Sequence, residues 1–383
     1  MLLYVHVPFC VRKCGYCAFH SGPFSRDAAE AYVEMVLREM KAWGRTLGRV
    51  AVETVYFGGG TPSLLEPGQV EDLLQSAGAC FNLDADAEIT LEANPDSVLR
   101  PGFLGSIRRL GVNRLSLGVQ SLQDDLLAML GRPHDGRQAR RSVQAARDSG
   151  FNLSLDLIWG LPGQTLKRWM DDLAEVAALA PEHLSCYGLS LEDGTSLARQ
   201  VEEGDLDLPG EETQARMYLD GTQFLESVGY AHYEISSYAR PGRKSRHNQG
   251  YWAGKDYLGF GPAAVSTIGD RRWSNPVAFE EYASVVTGGG GTNEVEVLST
   301  QMRRQEMVML ALRTAGGLDL EKFKATTGTE FPWRHPAVEQ LRSSGLVRHR
   351  DGHLQLTREG MLVSNSVIEM VLGIVDRMHA DTV

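Results

Sequence analysis

Cysteine is scarce in this chain, with five in 383 residues, and Cys80 and Cys186 sit in apolar contexts that suggest burial. Such sparse usage excludes a disulfide framework and points to a reducing compartment. Long apolar runs are missing too, since no stretch approaches the ~20 residues of a membrane-spanning helix. The opening MLLYVHVPF has no basic segment, long apolar core or small-residue cleavage site, and so does not read as a secretory signal. A cytoplasmic protein is expected, at most peripheral to a membrane. Nor is there an excess of positive charge. The formal net charge of −11 argues against a nucleic-acid binder. No Walker A loop or GxGxxG fingerprint is present. What remains is ordinary globular composition, 43% apolar, in a chain long enough for one barrel-sized domain and a smaller one.

Against that scarcity, three of the five cysteines crowd into eight residues: Cys10, Cys14 and Cys17 in HVPFCVRKCGYCAF. Unrelated buried thiols rarely cluster at ligand spacing. Three thiolates leave a four-ligand metal site one short. Zinc is one reading, with His20 as a fourth ligand, although structural zinc sites normally use CxxC pairs. A [4Fe-4S] cluster with one iron open to an exogenous ligand is the other. The spacing, with Tyr16 before the last cysteine, resembles the CxxxCxφC signature of the radical S-adenosylmethionine (SAM) enzymes. That resemblance implies SAM chelating the open iron through its amino and carboxylate groups.

Downstream, short β-rich runs alternate with amphipathic stretches. LLYVHV, VETVYF, AEITLEANP, NRLSLGVQ, LSLDLIWGLP and HLSCYGLSL each end in a turn, with helices expected between them, one from Asp27 to Trp43 and one opening at Pro67. Apolar strands alternating with helices imply a parallel sheet covered by helices. The expected fold class is α/β: an open, partial (β/α)6 barrel over residues 1–238, with its chemistry at the carboxyl ends of the strands. Residues 239–290 read as a connecting segment. The chain from Glu234 to Pro276 looks irregular, rich in Tyr, Trp, Gly and Arg, and TGGGGTNE looks flexible. Residues 291–383 read as a mostly helical, winged-helix-like domain, with a hairpin turning at Asp351 and Gly352. Acidic and basic residues nearly balance there, so a docking or lid module is expected rather than a DNA-binding one.

The candidate functional residues fall at the strand ends. Glycines in YFGGGTP let backbone approach a ligand closely, although a GGG turn often does no more than connect a strand to a helix. Glu92 could accept from ribose hydroxyls. Gln120 and Asp156 hold matching places on later strands, and the alternative for all three is capping or loop bonding. Arg132 in LGRPHD could grip a carboxylate bidentately, or form a surface ion pair of little weight.

Taken in order from Tyr4 to Trp252, YVHVPFCxxxCxYC, YFGGGTP, LEANP, SLGVQS, LGRPHD, DLIWGLPGQT and HNxxYW resemble the HemN/HemW group of radical SAM proteins. The resemblance implies that Cys10, Cys14 and Cys17 hold the cluster and that Tyr4, Gly59 and Glu92 contact its SAM. By the same resemblance Tyr16, Gly60, Thr61, Gln120, Arg132 and Asp156 belong to the SAM site, several of them at positions that meet a second SAM in the oxidase of the group. That oxidase has a further cysteine where this chain has Phe19, and an extension ahead of its first strand. Both departures favour the heme-chaperone branch, in which the protein carries heme to apoproteins, membrane-associated acceptors among them. Oxygen-independent decarboxylation of coproporphyrinogen III is one alternative, and another HemN-like radical SAM enzyme, such as a methyltransferase or a heme-degrading one, is a further one. His247 in HNQGYW is then the candidate ligand to heme iron, and Tyr251 and Trp252 candidate stacking partners. The bland account is a turn anchored in the core. Arg240, Arg243, Lys244 and Arg246 could meet heme propionates, or be a solvated loop.

Overall fold

The computed structural model describes residues 1–288 and 295–380; most of the TGGGGTNE stretch, expected to be flexible, lies outside them. Six parallel strands run in chain order, β1 (Leu2–Val7), β2 (Ala51–Gly59), β3 (Asn82–Ala93), β4 (Arg114–Gln120), β5 (Asn152–Trp159) and β6 (His183–Gly188). Each is followed by a helix that packs on the sheet: α1 (Arg26–Leu47), α2 (Pro67–Cys80), α3 (Phe103–Arg109), α4 (Gly136–Asp148), α5 (Leu166–Ala178) and α6 (Glu211–Ser227). Helix starts are set by local chemistry. Ser25, Asp135 and Thr165 accept from the first-turn amides of α1, α4 and α5, and Pro67 occupies the first turn of α2, where its missing N–H costs nothing.

The strands are not uniformly apolar. Val55, Phe57, Leu91, Leu115, Leu117, Leu153, Leu155 and Leu184 pack with the helices in one core, while Thr54, Tyr56, Glu92, Ser116, Asp156 and His183 alternate with them along the strands. This period of two puts an apolar layer under the helices and a polar layer on the opposite, concave face.

The segment that reads as irregular is instead part of the sheet. After β7 (Ala231–Glu234), β8 (Ser237–Ala239) and helix α7 (Arg246–Trp252), strand β9 (Tyr257–Phe260) pairs parallel with β1. β10 (Val265–Ile268), β11 (Arg271–Ser274) and β12 (Glu296–Val297) then extend the edge antiparallel, with helix α8 (Phe279–Thr287) following β11. The sheet order is β12-β11-β10-β9-β1-β2-β3-β4-β5-β6-β8-β7. The strands were hidden because each is four residues or fewer and depends on a neighbour edge, not on its own periodicity. Glu39 of α1 ties this extension down. Buried, its carboxylate accepts from the Gly261 amide at 3.0 Å, Asn275 Nδ2 at 2.7 Å and Tyr282 Oη at 2.7 Å.

A second core holds the C-terminal part. Helix α9 (Thr300–Leu312), strand β13 (Leu318–Asp319), helices α10 (Leu320–Thr327) and α11 (Pro336–Ser343), and the hairpin β14 (Val347–Arg350) and β15 (His353–Leu356) follow one another, with the sheet ordered β13-β15-β14. That arrangement of helices and wing matches the winged-helix expectation. Asp351 and Gly352 both take positive φ, 50° and 77°, as a two-residue hairpin turn requires. Helix α12 (Ser364–Ala380) closes this part against α9. No helix among the described residues is long and apolar enough to cross a membrane.

Candidate functional site

At the carboxyl ends of the six strands lies a cavity of about 600 Å³. The fold brings eleven of the sequence candidates to its walls: Cys10, Cys14, Cys17, Tyr16, Gly59, Gly60, Thr61, Glu92, Gln120, Arg132 and Asp156.

The cysteine loop is held by backbone bonds. The Gly60 amide donates to Val7 O (2.8 Å), Thr61 N to Phe9 O (2.7 Å), Gly15 N to Leu130 O (3.1 Å) and Leu197 N to Gly15 O (2.9 Å). Gly60 has no room for a side chain, because a Cβ there would fall 2.5 Å from Phe9 O. Gly59 takes φ 107°, open only to glycine. Its amide then donates to Glu92 Oε2 at 3.2 Å, while Tyr56 Oη donates to Glu92 Oε1 at 2.6 Å.

Two carboxylates form the acidic side. Burial, with Asp156 nearby, pushes Glu92 up to about 7, against the bonds from Tyr56 and Gly59. Burial likewise pushes Asp156 up to about 6, against hydrogen bonds from Ser185 and Ser116; Ser116 Oγ lies 3.3 and 3.2 Å from the two Asp156 oxygens. Gln120 sits at φ 66°, an uncommon conformation for a non-glycine residue. Backbone strain of this kind is concentrated at functional sites.

Opposite stands Arg132. Among the described residues no carboxylate takes it bidentately. Nη2 donates to Asn94 Oδ1 (2.6 Å) and Gly118 O (2.7 Å), and Nη1 to Cys14 Sγ (3.4 Å). Asn94 Nδ2 donates in turn to Thr61 Oγ1 (3.2 Å), and Thr61 Oγ1 to Cys10 Sγ (3.6 Å). Asn94, Ser116, Gly118 and Tyr56 are thus site residues that sequence reasoning passed over. Asn94 stood inside the quoted LEANP, and the others lie at period-two spacing from residues already singled out.

Among the described residues no three His, Cys, Asp or Glu side chains converge closely enough to hold a single ion. A zinc site would need Cys10, Cys14, Cys17 and His20 to do so. A cubane takes its thiolates on different irons, so the sulfurs must stand apart around a shared space. Three cysteines lining one cavity, two of them already accepting hydrogen bonds, fit that requirement. The acidic pair, the glycine backbone and Arg132 supply both signs of charge for a sulfonium amino acid.

The remaining candidates fall outside the cavity wall. Tyr4 lies below it, its hydroxyl 3.0 Å from His6 Nδ1 and its ring stacked on Tyr56. His247 is only 1% exposed, on α7, against the amino-terminal part of β2. Its Nδ1 is 2.7 Å from Thr54 Oγ1, its backbone amide donates to Glu88, and its ring stacks on Tyr56 at 4.8 Å and meets Tyr251 edge-on. Among the described residues Nε2 has no hydrogen-bond partner. Burial lowers its pKa to about 3. In this conformation the His247 ring is buried; with Tyr251 it forms the floor of the barrel, with Tyr56 between it and Glu92. Trp252 ends the same short helix. The basic stretch is engaged as well: Arg240 stacks over Tyr230, Lys244 lies over Tyr233, Arg246 bonds Asp86, and the Arg243 carbonyl accepts from Arg114.

Residues 4–176 match the Radical SAM superfamily and residues 298–363 the HemN C-terminal domain. The chain is 34% identical over 377 residues to a Bacillus subtilis protein named heme chaperone HemW, covering 97% of this chain and 98% of that one. It is 36% identical over 385 residues to a mouse mitochondrial protein named radical S-adenosyl methionine domain-containing protein 1, covering 97% and 87%. Among solved structures, coproporphyrinogen III oxidase (HemN) from Escherichia coli superposes with a TM-score of 0.81 at 26% identity, over 97% of this chain and 89% of that one.

Proposed function

The chain belongs to the HemN/HemW group of the radical SAM superfamily, and on that premise we propose that it is a heme chaperone, binding heme and passing it to apoproteins. The observation that carries this reading is near-complete coverage at 34% identity to proteins named for that role. Phe19 supports it from within the chain. It lies in the cavity wall, 66% exposed, where the oxidase pattern has a cysteine.

In this proposal Cys10, Cys14 and Cys17 hold a [4Fe-4S] cluster, and SAM occupies the space between it, the Gly59–Gly60 backbone, Glu92 and Asp156. When bound, the pair supplies one-electron chemistry. The protein's own part is to orient and enclose. Gly59 and Tyr56 fix the Glu92 carboxylate, Ser116 fixes Asp156, and the cysteine loop closes the top. Oxidation of coproporphyrinogen III is the second reading, favoured by the superposition on HemN.

The test is to load the reconstituted protein with hemin, separate it from free hemin by gel filtration, and add an apo-heme protein. A Soret band that elutes with the chain and then moves to the acceptor supports the chaperone. Hemin that never elutes with the chain contradicts it.

A further inference from the structure

The cluster reading puts Arg132 and Thr61 beside two of the three ligand sulfurs, and from that geometry we propose a role for both beyond contact with SAM. They tune the reduction potential of the cluster, by hydrogen bonds to Cys14 and Cys10 that hold it at a higher value than the three thiolates alone would give. The inference rests on the cluster proposed above.

Three observations carry it. The two donors form one chain of contacts, Cys14–Arg132–Asn94–Thr61–Cys10, so both sulfurs are reached through a single part-buried network. Among the described residues Arg132 has no carboxylate as hydrogen-bond partner, and its Nε is buried without a partner. A part-buried guanidinium favours an anionic neighbour; Cys14 is the sulfur it donates to, with Asp96 a further negative charge nearby. The backbone is also shaped for it: a Cβ on Gly118 would lie 3.2 Å from Arg132 Nη2 and 3.4 Å from Asn94 Oδ1.

Holding the loop is not what Arg132 is needed for. The bonds of Gly15, Gly60, Thr61 and Leu197 do that through backbone alone. A positive charge and N–H or O–H donors on cluster sulfurs favour the reduced, more negative state, which raises the potential. The couple accepts one electron from an external low-potential donor, and no bond is made or broken.

The experiment compares wild type, Arg132→Gln and Thr61→Val, each reconstituted anaerobically. Iron per chain is counted first. The midpoint is then read by EPR-monitored titration with dithionite and mediators, without SAM, so that a lost SAM contact cannot produce the shift. The expected result is a full iron load in all three. Arg132→Gln should titrate lower by at least tenfold in the reduction equilibrium, 59 mV for a one-electron couple, and Thr61→Val lower by less. Should Arg132→Gln fail to load, Thr61→Val decides alone, since it leaves the backbone bond to Phe9 in place. Unchanged midpoints in loaded variants overturn the inference. Wild type that takes up fewer than four irons per chain overturns the cluster itself, and the inference with it.

Discussion

Replacing His247 by alanine should weaken the barrel itself, whether or not heme is present. The side chain is 1% exposed, stacks on Tyr56 and bonds Thr54. Truncating a buried ring leaves a cavity costing about 3 kcal/mol. The Thr54 hydroxyl loses its partner, at about 1–3 kcal/mol, and removing the unpartnered Nε2 returns a comparable amount. The net loss is therefore about 3 kcal/mol. His247→Phe keeps the stack and fills the space, and should cost less than half as much. The pH dependence has a definite sign. The folded ring has its pKa lowered to about 3 by burial, so the unfolded chain binds the proton more readily. Stability is complete above pH ~6.5 and falls as pH drops towards 3, by about 2 kcal/mol at pH 5. That share should vanish in His247→Phe. Urea midpoints of heme-free protein at pH 5 and pH 7.5 check both statements. An alanine variant with an unchanged midpoint that no longer retains heme would refute the floor and make His247 an iron ligand.

Other consequences are equally direct. Glu39 has its pKa raised to about 7 by burial, so its contribution is fully present below pH ~4.5 and is lost as pH rises through 7, about 3 kcal/mol in all. The stability difference between Glu39→Gln and wild type should therefore shift in favour of the variant between pH 5 and 8 in parallel urea titrations. Glu92→Gln should weaken SAM binding by about tenfold or more, the worth of a charged hydrogen bond. Wild-type affinity should rise from pH 6 to 8 as Glu92 ionises near 7, a dependence that calorimetry should find reduced in the variant. In Gly60→Ala the added methyl meets Phe9 O, next to Cys10, so iron content after reconstitution should fall well below that of wild type.

Much of the fold was legible because its strands carry their own signals. VETVYF followed by GGG, or LSLDLIWGLP, needs no partner to be read as a strand ending in a turn, and Pro67 marks the start of α2 to the residue. The edge strands β9 to β12 could not be read this way, since four residues of YLGF or VSTI become β only when β1 offers a free edge. The cavity wall was legible for a related reason: strand ends converge in a barrel. His247 was not. Its motif invites ligation, and only the tertiary contacts of Thr54, Glu88 and Tyr56 show a side chain packed under the site. Arg132 shows the same limit, because its sulfur and amide partners come from loops 118 and 38 residues away.

The most direct test of the chaperone reading is one anaerobic incubation of the reconstituted protein with SAM, dithionite, hemin and coproporphyrinogen III. Bound heme is read from the Soret band, and protoporphyrin and 5′-deoxyadenosine are read by chromatography after oxidation. The account predicts heme held by the chain and no protoporphyrin. Catalytic formation of protoporphyrin with matching 5′-deoxyadenosine would contradict it and make the protein an oxidase.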